Sequence, residues 1–179
     1  MSESEPRRVD LGIDLKPHPF DPATQPELFE GVLARRIVAF LIDLMVISVP
    51  LIFLAIFLFV FGLVTLGFGW FLFVFYGPIA VIWALVYYGL TLGSPASATI
   101  GMRIVDLEMR TSYGAPCYFV LGAVHAIGYW LTVTLLTPFI LLVALVNDRR
   151  RLAHDMLLGT IVINNAARAS QLRNAARGF

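Results

Sequence analysis

Eight side chains could carry chemistry in a sequence that otherwise keeps its charges out of its apolar segments: Arg36, Asp43, His125, Arg149, Arg150, Arg151, His154 and Asp155. Between Ile37 and Met102 the only charged residue is Asp43, and between Thr111 and Asn147 there is none. A carboxylate at the centre of a bilayer costs roughly 2.5–3.5 kcal/mol on insertion scales. Asp43 therefore needs a partner or a purpose. On a helix Arg36, Ala39 and Asp43 share one face, with Arg35 roughly 80° away. Arg36 at a membrane edge and Asp43 about 10 Å deeper form a polar stripe that should face protein or water.

Two uses of that stripe stand side by side. In one, Asp43 is a titrating or cation-binding group between helices, with Arg36, His125 and Asp155 on the same ion pathway; in the other, the charges lock helix ends together, with Arg149, Arg150, Arg151 and His154 structural or interfacial. His154 and Asp155 are adjacent, so they point to different faces of a helix, and no further His or Cys lies at ligand spacing. No metal is expected. No Gly-x-Ser-x-Gly, Walker or dinucleotide fingerprint appears, and Ser94 and Ser97 have no evident base, so neither catalysis nor a cofactor is expected. No aromatic-interleaved basic surface suggests nucleic acid. The lone Cys117 reads as an apolar filler.

Hydrophobic residues make up 59% of the 179 and charged residues 14%, against roughly 45–50% and 25% in soluble domains. The expected fold is an all-α integral membrane protein with two transmembrane helices and a third hydrophobic segment, plus a small cytoplasmic β pairing. Residues 1–30, with five prolines spread through them, form a polar tail without stable helix. The first span covers about Leu33 to Phe61, with Pro50 inside. Gly62–Gly69 is an uncharged turn. The second span, about Trp70 to Leu92, has Tyr87 and Tyr88 as an interfacial aromatic belt. A polar loop follows, in which Arg103–Glu108 is strand-like. The third segment is Tyr118–Val146. Thr160–Ile163 is β-branched and strand-like, and the basic residues 166–179 form a solvated tail, preferred to a short surface helix near anionic lipid.

Charge distribution sets an expected topology. Arg35 and Arg36 place the N-terminal side in the cytoplasm. If Tyr118–Val146 crossed once, Arg149–Arg151 would lie outside and the two strand-like pieces would be parted by the bilayer. A broken hairpin bent between Gly128 and Pro138 removes both conflicts and is preferred to a single tilted span. Both termini are then cytoplasmic.

Three blocks resemble the RDD family of small bacterial membrane proteins: Arg36-x-x-Ala39-x-x-x-Asp43, then Gly93-Ser94-Pro95 with Gly101-Met102-Arg103-Ile104-Val105-Asp106, then Arg149 to Thr160 with His154-Asp155. They cover about residues 31–165. The chain differs at Ala96-Ser97-Ala98, where many members carry a basic cluster. The resemblance implies a location in the bacterial plasma (inner) membrane, Arg36, Asp43 and Asp155 as signature residues, and a transport role. A module this small encloses little polar volume, so a homo-oligomer or a partner membrane protein is expected. A transporter-like module moving an ion or small solute past Asp43 is favoured over a non-catalytic membrane scaffold.

Overall fold

The computed structural model describes residues 19–136 and 152–178. The first long element, α1 (Val32–Val64), has a mean hydropathy near its centre high enough for a membrane span, and so does the stretch Phe68–Leu92. At 1.5 Å per residue, 33 residues reach about 50 Å, more than the roughly 30 Å of a hydrocarbon core. Pro50 sits inside α1 without ending it. Phe53, Phe57, Val64 and Phe71 point outward, uncovered by the rest of the chain. An apolar surface of that extent is satisfied by lipid and not by water.

The uncharged turn after α1 is a tight reversal. Gly67 takes φ 96, a conformation other residues adopt at a cost. Gly62 lets the Trp70 ring lie on α1: a Cβ there would stand 1.8 Å from the indole. Trp70 Nε1 donates to Phe59 O at 3.1 Å, which fixes the fold-back. A 3-10 stretch, Phe68–Phe75, leads into α2 (Tyr76–Leu92), and Pro78 falls in the first turn of α2, where its missing N–H has no helical acceptor to lose.

The polar loop then makes a short helix, α3 (Ile100–Ile104), before the strand β1 (Leu107–Thr111). The sequence suggested a strand from Arg103. Thr99 Oγ1 accepts from Met102 N at 3.1 Å as the N-cap, and a tertiary acceptor described below takes Gly101 N–H, so residues 100–104 coil instead. The helix α4 (Phe119–Leu136) packs along α2, α5 (Ala153–Leu157) follows the undescribed stretch, and β2 (Thr160–Asn164) completes an antiparallel pair in which Leu107 faces Asn164 and Thr111 faces Thr160. The expected pairing of the two strand-like pieces is therefore present, shifted by a few residues in the first strand. β1 precedes the third apolar segment and β2 follows it, so the chain on either side of that segment meets in one sheet. Its helix runs unbroken through Gly128 to Leu136; Pro138 lies outside the described residues.

The sheet's two faces serve different cores, as period-2 alternation requires. Leu107, Met109 and Val162 join Val32, Ala39, Tyr88 and Leu92 under α1 and α2. Ile161 and Ile163 face Phe20, Leu28 and Phe29, so residues 19–30 are a packed cover and not a free tail. The C-terminal stretch also corrects its expectation. Ala166–Arg177 is a helix, α6, capped by Asn165 Oδ1 accepting from Arg168 N at 2.9 Å. Its Arg173 meets Glu27 Oε1 at 2.6 Å.

Candidate functional site

Arg36, Ala39, Phe40 and Asp43 share one face of α1 over about 10 Å and line a cavity of about 100 Å³ beneath the sheet. α4 brings His125 to the same cavity, and α5 brings His154 and Asp155. Four of the expected site residues, Arg36, Asp43, His125 and Asp155, thus converge, with His154 beside them. Arg149, Arg150 and Arg151 lie outside the described residues.

Their pairing differs from the simplest reading of the α1 stripe. Arg36 does not bond Asp43; its Nη1 donates to Asp155 Oδ2 at 2.6 Å, across 119 residues of sequence. Asp155 is fully buried, and its Oδ2 also accepts Leu152 N–H at 3.0 Å. Burial alone would raise the Asp155 pKa, but Arg36, then the two imidazoles and the Leu152 N–H, outweigh it and hold the carboxyl down at about 2. Nε and Nη2 of Arg36 are buried and have no hydrogen-bond partner among the described residues.

Asp43, 3% exposed, is satisfied by neutral donors. Oδ1 accepts from Tyr87 Oη at 2.5 Å and from Gly101 N at 2.7 Å, and Oδ2 accepts from Thr99 Oγ1 at 2.6 Å. One carboxyl therefore fastens α1 to α2 and to the first turn of α3. Gly101 is required at this contact, since a Cβ would come within 2.1 Å of Ala39 O. The Ala39 and Asp43 of the first block and the Gly101 of the second are thus two sides of one contact. Tyr87 belongs to this latch and not to an interfacial belt: it is buried, as is Tyr88, which lines the cavity. Nothing in the sequence around Tyr87 separates the two roles, because an amphipathic ring suits both.

The two histidines pack edge to face with ring centroids 4.8 Å apart. His125 Nδ1 lies 3.7 Å and His154 Nε2 3.5 Å from Asp155 Oδ1. Thr132 Oγ1 sits 2.7 Å from Gly128 O and 3.0 Å from His154 Nδ1. A carbonyl only accepts, so the threonine hydroxyl donates to Gly128 O and accepts from Nδ1–H. The network assigns His154 the Nδ1–H tautomer, with the Nε2 lone pair turned to Asp155. Burial, first, and the Arg36 charge lower the His154 pKa, although Asp155 opposes them, so its imidazole is neutral near pH 7. Thr132 is a site residue that no sequence pattern singled out, and Thr160, whose Oγ1 lies 3.5 Å from both His125 Nδ1 and Asp155 Oδ1, closes the third block without having been read as part of the site.

A family model described as RDD family matches residues 31–159, more than half of the chain. Neither the comparison with curated proteins nor that with solved structures gives a match.

Proposed function

We propose, on the premise that this chain belongs to the RDD family, that it is a transporter-like membrane module in which an ion or small solute passes through the chamber between α1, α4 and α5. The observation that carries this reading is the cavity of about 100 Å³ where Arg36, His125, His154 and Asp155 meet under a cover of apolar side chains. Buried titratable groups around a cavity are costly to maintain, and in membrane proteins they mark ion and proton routes. In this reading Asp155 and the histidines handle the passing ion, whereas Asp43 holds the helices around them.

The sidedness follows from charge and from the sheet. The strands that precede and follow the third segment pair with each other, which favours a hairpin entering and leaving by the cytoplasmic face of a bacterial plasma membrane. An apolar groove of about 630 Å³ between Leu44, Ile47, Val81, Ala84, Ile127 and Trp130 offers a seat for a second copy or a partner membrane protein that would complete the enclosure. The module is non-catalytic and binds no nucleic acid.

One observation favours the scaffold reading: every contact of Asp43 is a closed hydrogen bond to protein. Reconstituted liposomes loaded with a pH-sensitive dye separate the two. Cation pulses across a range of monovalent and divalent ions should drive proton or cation flux in the wild type and not in His125→Gln, whose melting in detergent should stay near normal. Absence of flux for every ion, with protein correctly inserted, would leave the scaffold.

A further inference from the structure

We propose that His125 Nδ1, His154 Nε2 and Asp155 Oδ1 form a site for one transition-metal ion of the Zn²⁺, Co²⁺ or Ni²⁺ kind, its fourth position open to the cavity. Each of the three residues offers a ligand atom within 4.8 Å of one from each of the others, and His125 Nδ1 and His154 Nε2 lie 3.7 and 3.5 Å from Asp155 Oδ1. Tetrahedral zinc with ligand bonds of about 2.0–2.1 Å sets its donors about 3.3–3.4 Å apart. The carboxylate edges already match to a few tenths of an ångström. Only the edge between the imidazoles must close, and His125, the more accessible of the two rings, has room to tilt.

The surroundings are those of a metal ligand set. The His154 lone pair faces the site because Thr132 takes the proton on Nδ1, which is how outer partners fix ligating histidines. Arg36 and Leu152 N–H bind Oδ2 of Asp155 and so orient Oδ1 toward the imidazoles. Two neutral nitrogens and one oxygen suit a borderline divalent ion; Na⁺, Mg²⁺ and Ca²⁺ require mostly oxygen. Arg36 already balances Asp155, so the ion's charge calls for an anion such as hydroxide in the fourth position. Arg36, whose Nε and Nη2 are buried and unpartnered among the described residues, lines the same cavity. Its volume of about 100 Å³ is several times the ~10–15 Å³ that one water needs.

The site stands apart from transport, since occupancy is measured in detergent. Full-length protein without a polyhistidine tag is stripped with chelator and titrated with Co²⁺. The expected result is the visible absorption of tetrahedral Co²⁺, saturating at one ion per chain and displaced by Zn²⁺ but not by Mg²⁺ or Ca²⁺. His125→Ala and His154→Ala should abolish the band and His18→Ala should not. Thr132→Val, which keeps every ligand, should retain the band with affinity lowered about 10–100-fold. A wild type with no saturable Co²⁺ or Zn²⁺ binding overturns the site, whatever the variants do, and so does a folded His125→Ala, His154→Ala double variant that binds like wild type. Binding without flux would sink the transport reading alone; flux without binding would sink this site alone.

Discussion

The exchange of partners at Arg36 gives the sharpest test of the structure. Arg36 bonds Asp155 at 2.6 Å with the carboxylate fully buried, whereas Asp43 lies on the same helix face about 10 Å away and takes its hydrogen bonds from Tyr87, Thr99 and Gly101. Removing one partner of a buried ion pair costs about 3–5 kcal/mol, because the other charge is left without compensation. Asp155→Asn should fall at the upper end, since two of the guanidinium nitrogens have no hydrogen-bond partner among the described residues. Arg36→Gln should fall at the lower end, because Asp155 keeps the Leu152 N–H. The double variant should cost little more than the worse single, a coupling of about 2–3 kcal/mol. The parallel cycle of Arg36→Gln with Asp43→Asn should be additive to within about 0.5 kcal/mol, as for residues that share no partner. Both cycles can be read from reversible unfolding in mixed micelles, followed by tryptophan fluorescence. Strong coupling between Arg36 and Asp43, with additivity between Arg36 and Asp155, would refute the assignment.

Four further outcomes are expected. Gly101→Ala should misassemble or lose more than about 3 kcal/mol, as overpacking against backbone does at its worst, because the new methyl would meet Ala39 O at 2.1 Å; a normal melting curve for it would show that α3 does not dock as described. Tyr87→Phe should cost about 1–3 kcal/mol by taking one donor from a buried carboxyl, and a melting temperature equal to wild type would return Tyr87 to the membrane interface. Cys117 is buried and burial pushes its thiol up to about 11, so it should resist alkylation in the folded protein. Single cysteines at Ser4 and Ser170 in a Cys117→Ala background should then report sidedness cleanly: slow labelling by an impermeant reagent in intact cells for both, with rapid labelling of either refuting cytoplasmic termini.

The spans, the glycine turn and the β pairing were legible because each rests on local pattern: uninterrupted apolar runs, φ-permissive residues and β-branched clusters. Residue identity also pointed to Arg36, Asp43 and Asp155 as one site. What local pattern could not give was the partner of each charge. Helical spacing puts Arg36 over Asp43, yet an ion pair is decided by which carboxylate arrives desolvated and in line, and the one that does is 119 residues away. The same limit explains the short helix at Ile100–Ile104: its strand-like residues coil because Asp43, on another element, takes the Gly101 N–H that a strand would have offered elsewhere. The C-terminal helix, by contrast, carried a readable signal in Asn165 followed by an alanine-rich stretch, a capping residue before strong helix formers.

The histidines make the case that separation in sequence is no guide to ligand sets in a membrane chain. His125 and His154 flank a long apolar stretch, and His154 and Asp155, being neighbours, seem to point apart. The structure resolves this by packing α5 on the face of α4 around Gly128, so that the His154 ring meets Thr132 while Asp155 reaches Arg36. Two adjacent residues on a one-turn helix can then face the same cavity from different sides. The polar centre is therefore completed where the chain returns after the third apolar segment, with α5 packed on α4 and Asp43 lining the same cavity. If that return were opened, for instance by Leu152→Pro, which removes the N–H that Asp155 accepts, Arg36 would lose its oriented partner while the Asp43 latch stayed closed. Thermal unfolding should then drop by an amount comparable to Asp155→Asn, with no additional loss on combining the two. A further loss of several kcal/mol in the combination would show that Leu152 holds the fold by some route other than Asp155.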